Sequence, residues 1–163
     1  MPATPSATSA GILLYRPGPG GPEVLLGHMG GPFWARKDAG AWSVPKGEHG
    51  PGETPLDAAR REFTEEIGAP PPPGEPVDLG TVRQSRKTVA AFALDGSGFT
   101  GAGAVAGRTD DGTWVEIEWP PRSGRTLRFP EIDRAEWFDL DTAREKIVAG
   151  QRPLLDRVAG LLP

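Results

Sequence analysis

A mixed α/β domain is the fold class this sequence predicts, and three observations predict it. Short apolar runs recur through both halves of the chain, separated by turns rich in Gly and Pro. One amphipathic helix with readable start and stop signals lies between two groups of these runs. A capped helix and a further amphipathic segment close the chain. With 163 residues, no internal repeat and no boundary-like change of composition, the order reads as one domain over 9–163 behind a loose tail at 1–8.

The elements follow in order. Ser9–Arg16 and Glu23–His28 are strand-like, and the intervening PGPGGP makes them a hairpin. A long loop, MGGPFWARKDAG, leads to a short strand at Ala41–Pro45. The helix is expected at Pro55–Ile67, with Thr54 as N-cap, Pro55 in the first position and Gly68 as the stop. A Pro-rich connector precedes two strands, VDLGTVRQSRK and TVAAFALD, and the Gly-rich GSGFTGAGAVAG is expected as a flexible loop. TWVEIEW and AEWFDL alternate as half-exposed strands do. DTAREKIVAG reads as a helix bounded by Asp141 and Gly150, and RPLLDRVAGLL as a second, amphipathic one.

Composition narrows the chemistry. Gly and Pro number 23 and 19, but they cluster between apolar runs, as in a strand-and-loop fold rather than a disordered chain. A formal charge of −4 argues against a general binder of nucleic acid or anionic membrane, while leaving room for a local basic pocket. The absence of Cys excludes disulfides, thiolate catalysis and Cys-based zinc sites, and two His residues, His28 and His49, are too few for a His-rich metal centre. The N-terminus lacks a signal-peptide pattern, and no run approaches the ~20 apolar residues of a membrane span. A cytoplasmic protein is the expectation.

The central helix carries the sharpest signal. Leu56, Ala59, Phe63 and Ile67 fall within an arc of about 80°, which is the buried stripe. Glu66 lies about 40° to one side of Glu62 and Glu65 about 60° to the other. Like charges three and four positions apart repel unless a cation sits between them, and these lie away from the helix N-terminus, where the dipole would favour acids. A solvated acidic face and a divalent-metal site both fit this geometry; hard cations such as Mg2+ seek a few carboxylate oxygens plus substrate phosphates.

Gly47, Glu53, Arg61, Glu62, Phe63, Glu65, Glu66 and Gly68 stand at the spacing G-x5-E-x7-R-E-U-x-E-E-x-G-U, with U apolar. This segment resembles the Nudix box. Its fixed identities would recur by chance on the order of 10⁻⁹ per window. One position departs from the pattern: small Ala69 stands where a larger aliphatic is usual, which touches packing and no charged residue. The resemblance is close over the box and looser in its flanks. It implies an α/β/α sandwich with a mixed sheet, and Mg2+- or Mn2+-dependent hydrolysis of a nucleoside diphosphate linked to a further group.

The resemblance also implies roles. Glu62 and Glu66 would be direct metal ligands, Glu65 a further ligand or water holder, and the Lys46 carbonyl another ligand. Glu53 and Arg61 would tie the loop to the helix and orient the acids; an ordinary surface salt bridge is the plainer reading of Arg61. The acid that accepts a proton from water varies within the family, and Glu131 and Glu136 are two late candidates, each equally readable as a solvated edge charge. Lys46, Arg122, Arg125 and Arg128 are candidate phosphate contacts, the arginines in a Pro/Gly-interrupted basic segment that also reads as a solubilising loop. Phe33, Trp34 and Trp42 are candidate base-stacking aromatics, although most tryptophans pack in cores.

The phrase PKGE…PGE is similar to the box of dinucleoside polyphosphate hydrolases, and short equivalents occur in diphosphoinositol polyphosphate hydrolases. The Pro beyond the box that accompanies ADP-ribose specificity is missing, as is a Tyr beyond it, so the substrate stays open. The expected partner is a phosphorylated small molecule, a nucleotide first, with no membrane and no stable nucleic-acid complex. A catalytically silent nucleotide-binding module is the alternative, although such modules usually lose a box acid and this chain keeps them all. RNA-end processing is a weaker third reading, since no long basic stripe is present.

Overall fold

The computed structural model describes residues 8–105 and 114–162. β1 (Thr8–Gly18) and β2 (Gly21–Met29) form the expected hairpin, with Gly18 opposite Gly21 across the two-residue turn. Gly21 has a φ of 119°, a conformation open to Gly and strained for L side chains. Then come β3 (Trp42–Ser43), β4 (Lys46–Glu48), α1 (Pro55–Ile67), β5 (Val77–Gln84) and β6 (Lys87–Asp95). β7 (Trp114–Glu118), β8 (Thr126–Pro130), β9 (Ile132–Asp139), α2 (Leu140–Lys146) and α3 (Arg152–Ala159) complete the described chain, with 3-10 turns at Gly101–Val105 and Ala149–Gln151.

The main sheet runs β3-β2-β1-β6-β5, with β4 on β1 and β9 on β2. It is mixed: β1 pairs parallel with β6, from Thr8 opposite Thr88 to Tyr15 opposite Asp95, while the other pairs are antiparallel. Successive side chains of β1 therefore serve two cores. Ile12 and Leu14 pack with Ala59, Phe63 and Ile67 of α1. Leu13 packs on the other face with Trp42, Ala143, Leu154, Leu155 and Val158, beneath α2 and α3. The result is a three-layer α/β/α sandwich, as expected. β7 and β8 form a separate two-stranded sheet.

α1 lies where its signals put it. Thr54 Oγ1 accepts from the Asp57 N–H, Pro55 occupies the first turn, and Gly68 ends the helix at φ 87°. Thr54→Ala and Gly68→Ala are each expected to cost about 1 kcal/mol, the first by orphaning an N–H and the second by forcing a Cβ into left-handed backbone. Thermal melts should fall by roughly 2–4 °C for each.

Several expectations need correction. Thr8 belongs to β1 rather than to the tail; residues 1–7 lie outside the described residues, as do 106–113, which include the end of the Gly-rich loop and the first residue of TWVEIEW. That loop also contains the 3-10 turn at Gly101–Val105. α2 is capped by Asp139, whose carboxylate accepts from the Thr142 N–H, so Asp141 lies inside the first turn. The helix stops at Lys146 because Ile147 turns extended and bridges Trp42, and the Val148 N–H donates to the Trp42 carbonyl. Two strands went unread: β4, three polar-flanked residues, and β8, hidden within the basic segment.

Candidate active site

The box loop and α1 meet under β1. The Gly47 position admits no side chain: a Cβ there would lie 2.0 Å from the Glu62 carboxyl carbon. Gly11 is equally confined, since its Cβ would meet the Pro45 carbonyl oxygen at 2.5 Å. These close approaches bring β4 against the acidic edge of α1, and the Lys46 N–H donates to Glu66 Oε2 at 3.1 Å.

Arg61 organises the other side. Its guanidinium donates to both oxygens of Glu53 at 2.8 Å, to Glu62 Oε1 at 2.8 Å, to Glu65 Oε2 at 3.2 Å and to the Glu48 carbonyl at 3.0 Å. Glu53 also accepts from the Gly50 N–H, so one carboxylate closes the loop and locks the arginine. Those bonds from Arg61 and Gly50 draw the Glu53 carboxyl down to about 2. Arg61 thus joins the loop to the helix through several groups at once, more than an isolated surface salt bridge does.

Glu62 and Glu66 are buried, while Glu65 is half-exposed. Burial raises the Glu62 carboxyl above its usual range, opposed by the hydrogen bond and charge of Arg61. Glu66 rises well above the usual range, first through burial and then through its hydrogen bond with the Glu131 carboxyl. A buried carboxyl facing a second one is a place where a cation would offset the charge of both. Among the described residues, no three or more His, Cys, Asp or Glu side chains stand ready-made around a metal position. Arg61 already engages one oxygen of Glu62 and one of Glu65. The all-oxygen donor set still fits a hard divalent cation, and Glu62, Glu66 and Glu131 line one space.

That space is a cavity of about 710 Å³. Lys46, Gly47, Glu62, Glu66 and Glu131 form one part of its wall, with Glu48 and Lys87 beside them. Phe33 and Trp34 from the long loop, and Val115, Ile117 and Phe129 from the β7–β8 hairpin, supply an apolar part. Gly30 and Gly31 allow the loop and hairpin to touch: a Cβ at Gly30 would sit 2.0 Å from the Pro130 carbonyl oxygen, and one at Gly31 2.4 Å from the Phe129 ring. His28, fully buried, spans Asp133 and the Lys37 carbonyl with its two ring nitrogens, at 2.9 and 2.8 Å.

Not every candidate reaches the cavity. Glu136 is exposed on β9 and sits 3.9 Å from Arg134. Arg122 occupies the β7–β8 turn with φ 62°, Arg125 follows that turn, and Arg128 lies over the Trp114 ring opposite Glu116. None of the three arginines lines the cavity, because the hairpin turns its apolar side chains inward. Trp42 is core: buried, edge-on to His28 and Phe138, with its N–H donated to Asp38. Sequence reasoning missed Gln84 and Lys87, whose signal was their position at the two ends of the β5–β6 turn.

The family model of the NUDIX domain matches residues 5–158. The chain belongs to the Nudix family. No curated protein matches it significantly. In fold, this Nudix chain is similar to the Ap4A hydrolase of C. elegans in a binary complex, at 21% identity and TM-score 0.60, over 95% of this chain and 96% of that one. It is also similar to the NUDIX domain of Shewanella oneidensis NrtR complexed with ADP ribose, at 14% identity and TM-score 0.61, over 98% and 90%. A MutT protein from Methanosarcina mazei aligns at 21% identity and TM-score 0.56, over 99% and 98%. Identities this low establish the fold alone. Among the described residues, no helix is long and apolar enough to cross a membrane.

Proposed function

We propose that this Nudix pyrophosphohydrolase cleaves the P–O–P bond of a nucleoside diphosphate linked to a further group, using Mg2+ or Mn2+, as one domain that includes Thr8 and acts in the cytoplasm. The observation that carries the reading is the convergence of Glu62, Glu66 and Glu131 in one cavity beside Lys46. Glu62 and Glu66 would hold the cation, with Glu65 and the Lys46 carbonyl as further ligands. When bound, such a cation neutralises the diphosphate and acidifies the attacking water.

The chain's own groups supply the rest. Glu131, hydrogen-bonded to Glu66, is placed to accept the proton of that water. Lys46 and Lys87 offset phosphate charge within a wall that also carries the acids. Arg61 fixes Glu62 in orientation through its bond to Oε1. The apolar wall gives the nucleoside end a surface that excludes water. Glu136 and the three arginines stay outside this assignment because they stay outside the cavity.

Purified protein assayed with Mg2+ or Mn2+ against nucleoside triphosphates, dinucleoside polyphosphates, ADP-ribose, NADH and diphosphoinositol phosphates tests the reading. Turnover of a nucleotide member is the expected result. Tight binding without turnover would instead identify a silent binding module. Gly47→Ala supplies a sharper check, since its methyl group would displace the Glu62 carboxylate. Hydrolysis should fall about 10- to 100-fold with little change in the far-UV spectrum, as for other changes that disturb a ligand's support.

A further inference from the structure

Gln151 is fully buried at the end of the second 3-10 turn, on the opposite side of the sheet from α1. Its Oε1 accepts from the Val44 backbone N–H at 2.9 Å. A backbone N–H can only donate, so this bond fixes which end of the Gln151 amide is oxygen. Its Nε2 must then be the donor to Ser43 Oγ at 3.0 Å and to Gln84 Oε1 at 2.8 Å. The Ser43 hydroxyl passes its own proton to the Val44 carbonyl at 2.8 Å.

The consequence falls on Gln84, which lines the cavity. With Oε1 engaged by Gln151, its Nε2 group donates to no acceptor among the described residues. Gly150 lets the turn press on this residue: a Cβ there would lie 2.8 Å from the Arg83 carbonyl oxygen and 3.0 Å from the Gln84 Cα. Lys87 stands directly opposite Gln84 in the β5–β6 ladder, so the two side chains share a face, and Lys87 lines the same cavity. An amide N–H group beside an ammonium is a pair of donors, and its complement is an anionic oxygen.

We propose that Gln84 is a substrate-binding residue that donates to a phosphate oxygen, and that Gln151 is the positioning residue that fixes its amide. This rests on the reading of the cavity as a diphosphate site. It assigns part of the binding of the phosphates to the β5–β6 turn, in addition to the box.

Gln84→Glu isolates the donor, because a carboxylate still accepts from Gln151 while facing the cavity with oxygen. Binding of methylenediphosphonate and of α,β-methylene-ADP, neither cleavable between the phosphorus atoms, would be followed by calorimetry with Mg2+ present. Both should weaken by roughly 10- to 100-fold, the scale of a hydrogen bond to a charged group, with an unchanged melting temperature. In turnover of a nucleotide, KM should rise while kcat holds. Gln84→Met should weaken binding less than Gln84→Glu does. Gln151→Leu should also raise KM, but as a buried change it will lower stability, so Gln84→Glu decides the matter.

Unchanged affinity in Gln84→Glu would overturn the proposal, as would an absence of measurable affinity in the parent protein. A loss confined to α,β-methylene-ADP would move the contact from phosphate to nucleoside and overturn it equally. If the parent binds methylenediphosphonate through Gln84 yet cleaves no diphosphate, the hydrolase reading fails and this one stands.

Discussion

Glu66→Gln is expected to lower diphosphate hydrolysis by about 10²–10⁴-fold and, at the same time, to stabilise the metal-free protein near neutral pH. Both effects come from one buried carboxyl. Glutamine keeps an oxygen for the Lys46 N–H but offers no charge to a cation. The stability effect follows from the direction of the shift: burial and Glu131 raise the Glu66 carboxyl well above its usual range. The folded chain therefore holds a proton that the unfolded chain releases. The stability this gives is complete below the ordinary carboxylate range and is lost as pH rises through the raised value. Glutamine mimics the protonated acid at every pH, so that loss should vanish.

Melting curves across pH 4–9 in chelator and in Mn2+ would check this. The parent should melt lower as pH rises in chelator and recover on adding Mn2+; Glu66→Gln should do neither. A variant with normal turnover and normal metal response would remove Glu66 from the ligand set.

Arg61→Lys should be nearly as damaging to activity, despite conserving charge. Lysine cannot span Glu53, Glu62, Glu65 and the Glu48 carbonyl at once. Hydrolysis should drop about 10- to 100-fold. Stability should drop by about 2 kcal/mol, allowing for the solvent screening of a side chain roughly a third exposed. Acid titration separates this from a generic fold defect. Glu53 is drawn down to about 2, so its contribution is present above the ordinary carboxylate range and disappears as pH falls toward that value. Without the guanidinium, the Glu53 carboxyl returns toward its ordinary value and most of that acid-side loss should vanish.

The helix that carries these acids was legible because every level of the sequence agreed on it. Thr54, Pro55 and Gly68 marked its ends, the apolar stripe marked its buried face, and the crowded acids marked its edge. The strands β4 and β8 were not legible, for opposite reasons. Lys46–Glu48 is too short and too polar to show alternation, and its place is set by pairing with Ser9–Gly11 far away in sequence. Thr126–Pro130 does alternate, but Arg128 within it and Arg122 and Arg125 before it read as a charged segment instead of a period.

The late acids illustrate the same limit. Glu131 stands just before β9 and Glu136 within it, and a register shift opposite His28 and Met29 breaks the two-residue alternation between them. Which one faces the helix depends on the register of β9 against β2, fixed by Glu23 opposite Asp139 through Gly27 opposite Ala135. No local pattern holds that information. The hydrogen bond from Gln151 to Gln84 spans 67 positions and leaves no local pattern either.

The parallel pairing of β1 with β6 also governs the order in which the chain can become safe. Residues 8–15 emerge from synthesis well before their parallel neighbour, residues 88–95. At roughly 5–20 residues per second, that edge waits several seconds for its partner. Until then the apolar run Ile12–Leu14 lies beside unpaired backbone N–H and C=O groups, a template for intermolecular strand pairing. Any fragment that ends before β6 would keep that edge permanently open and should aggregate during expression, even with the whole Nudix box intact.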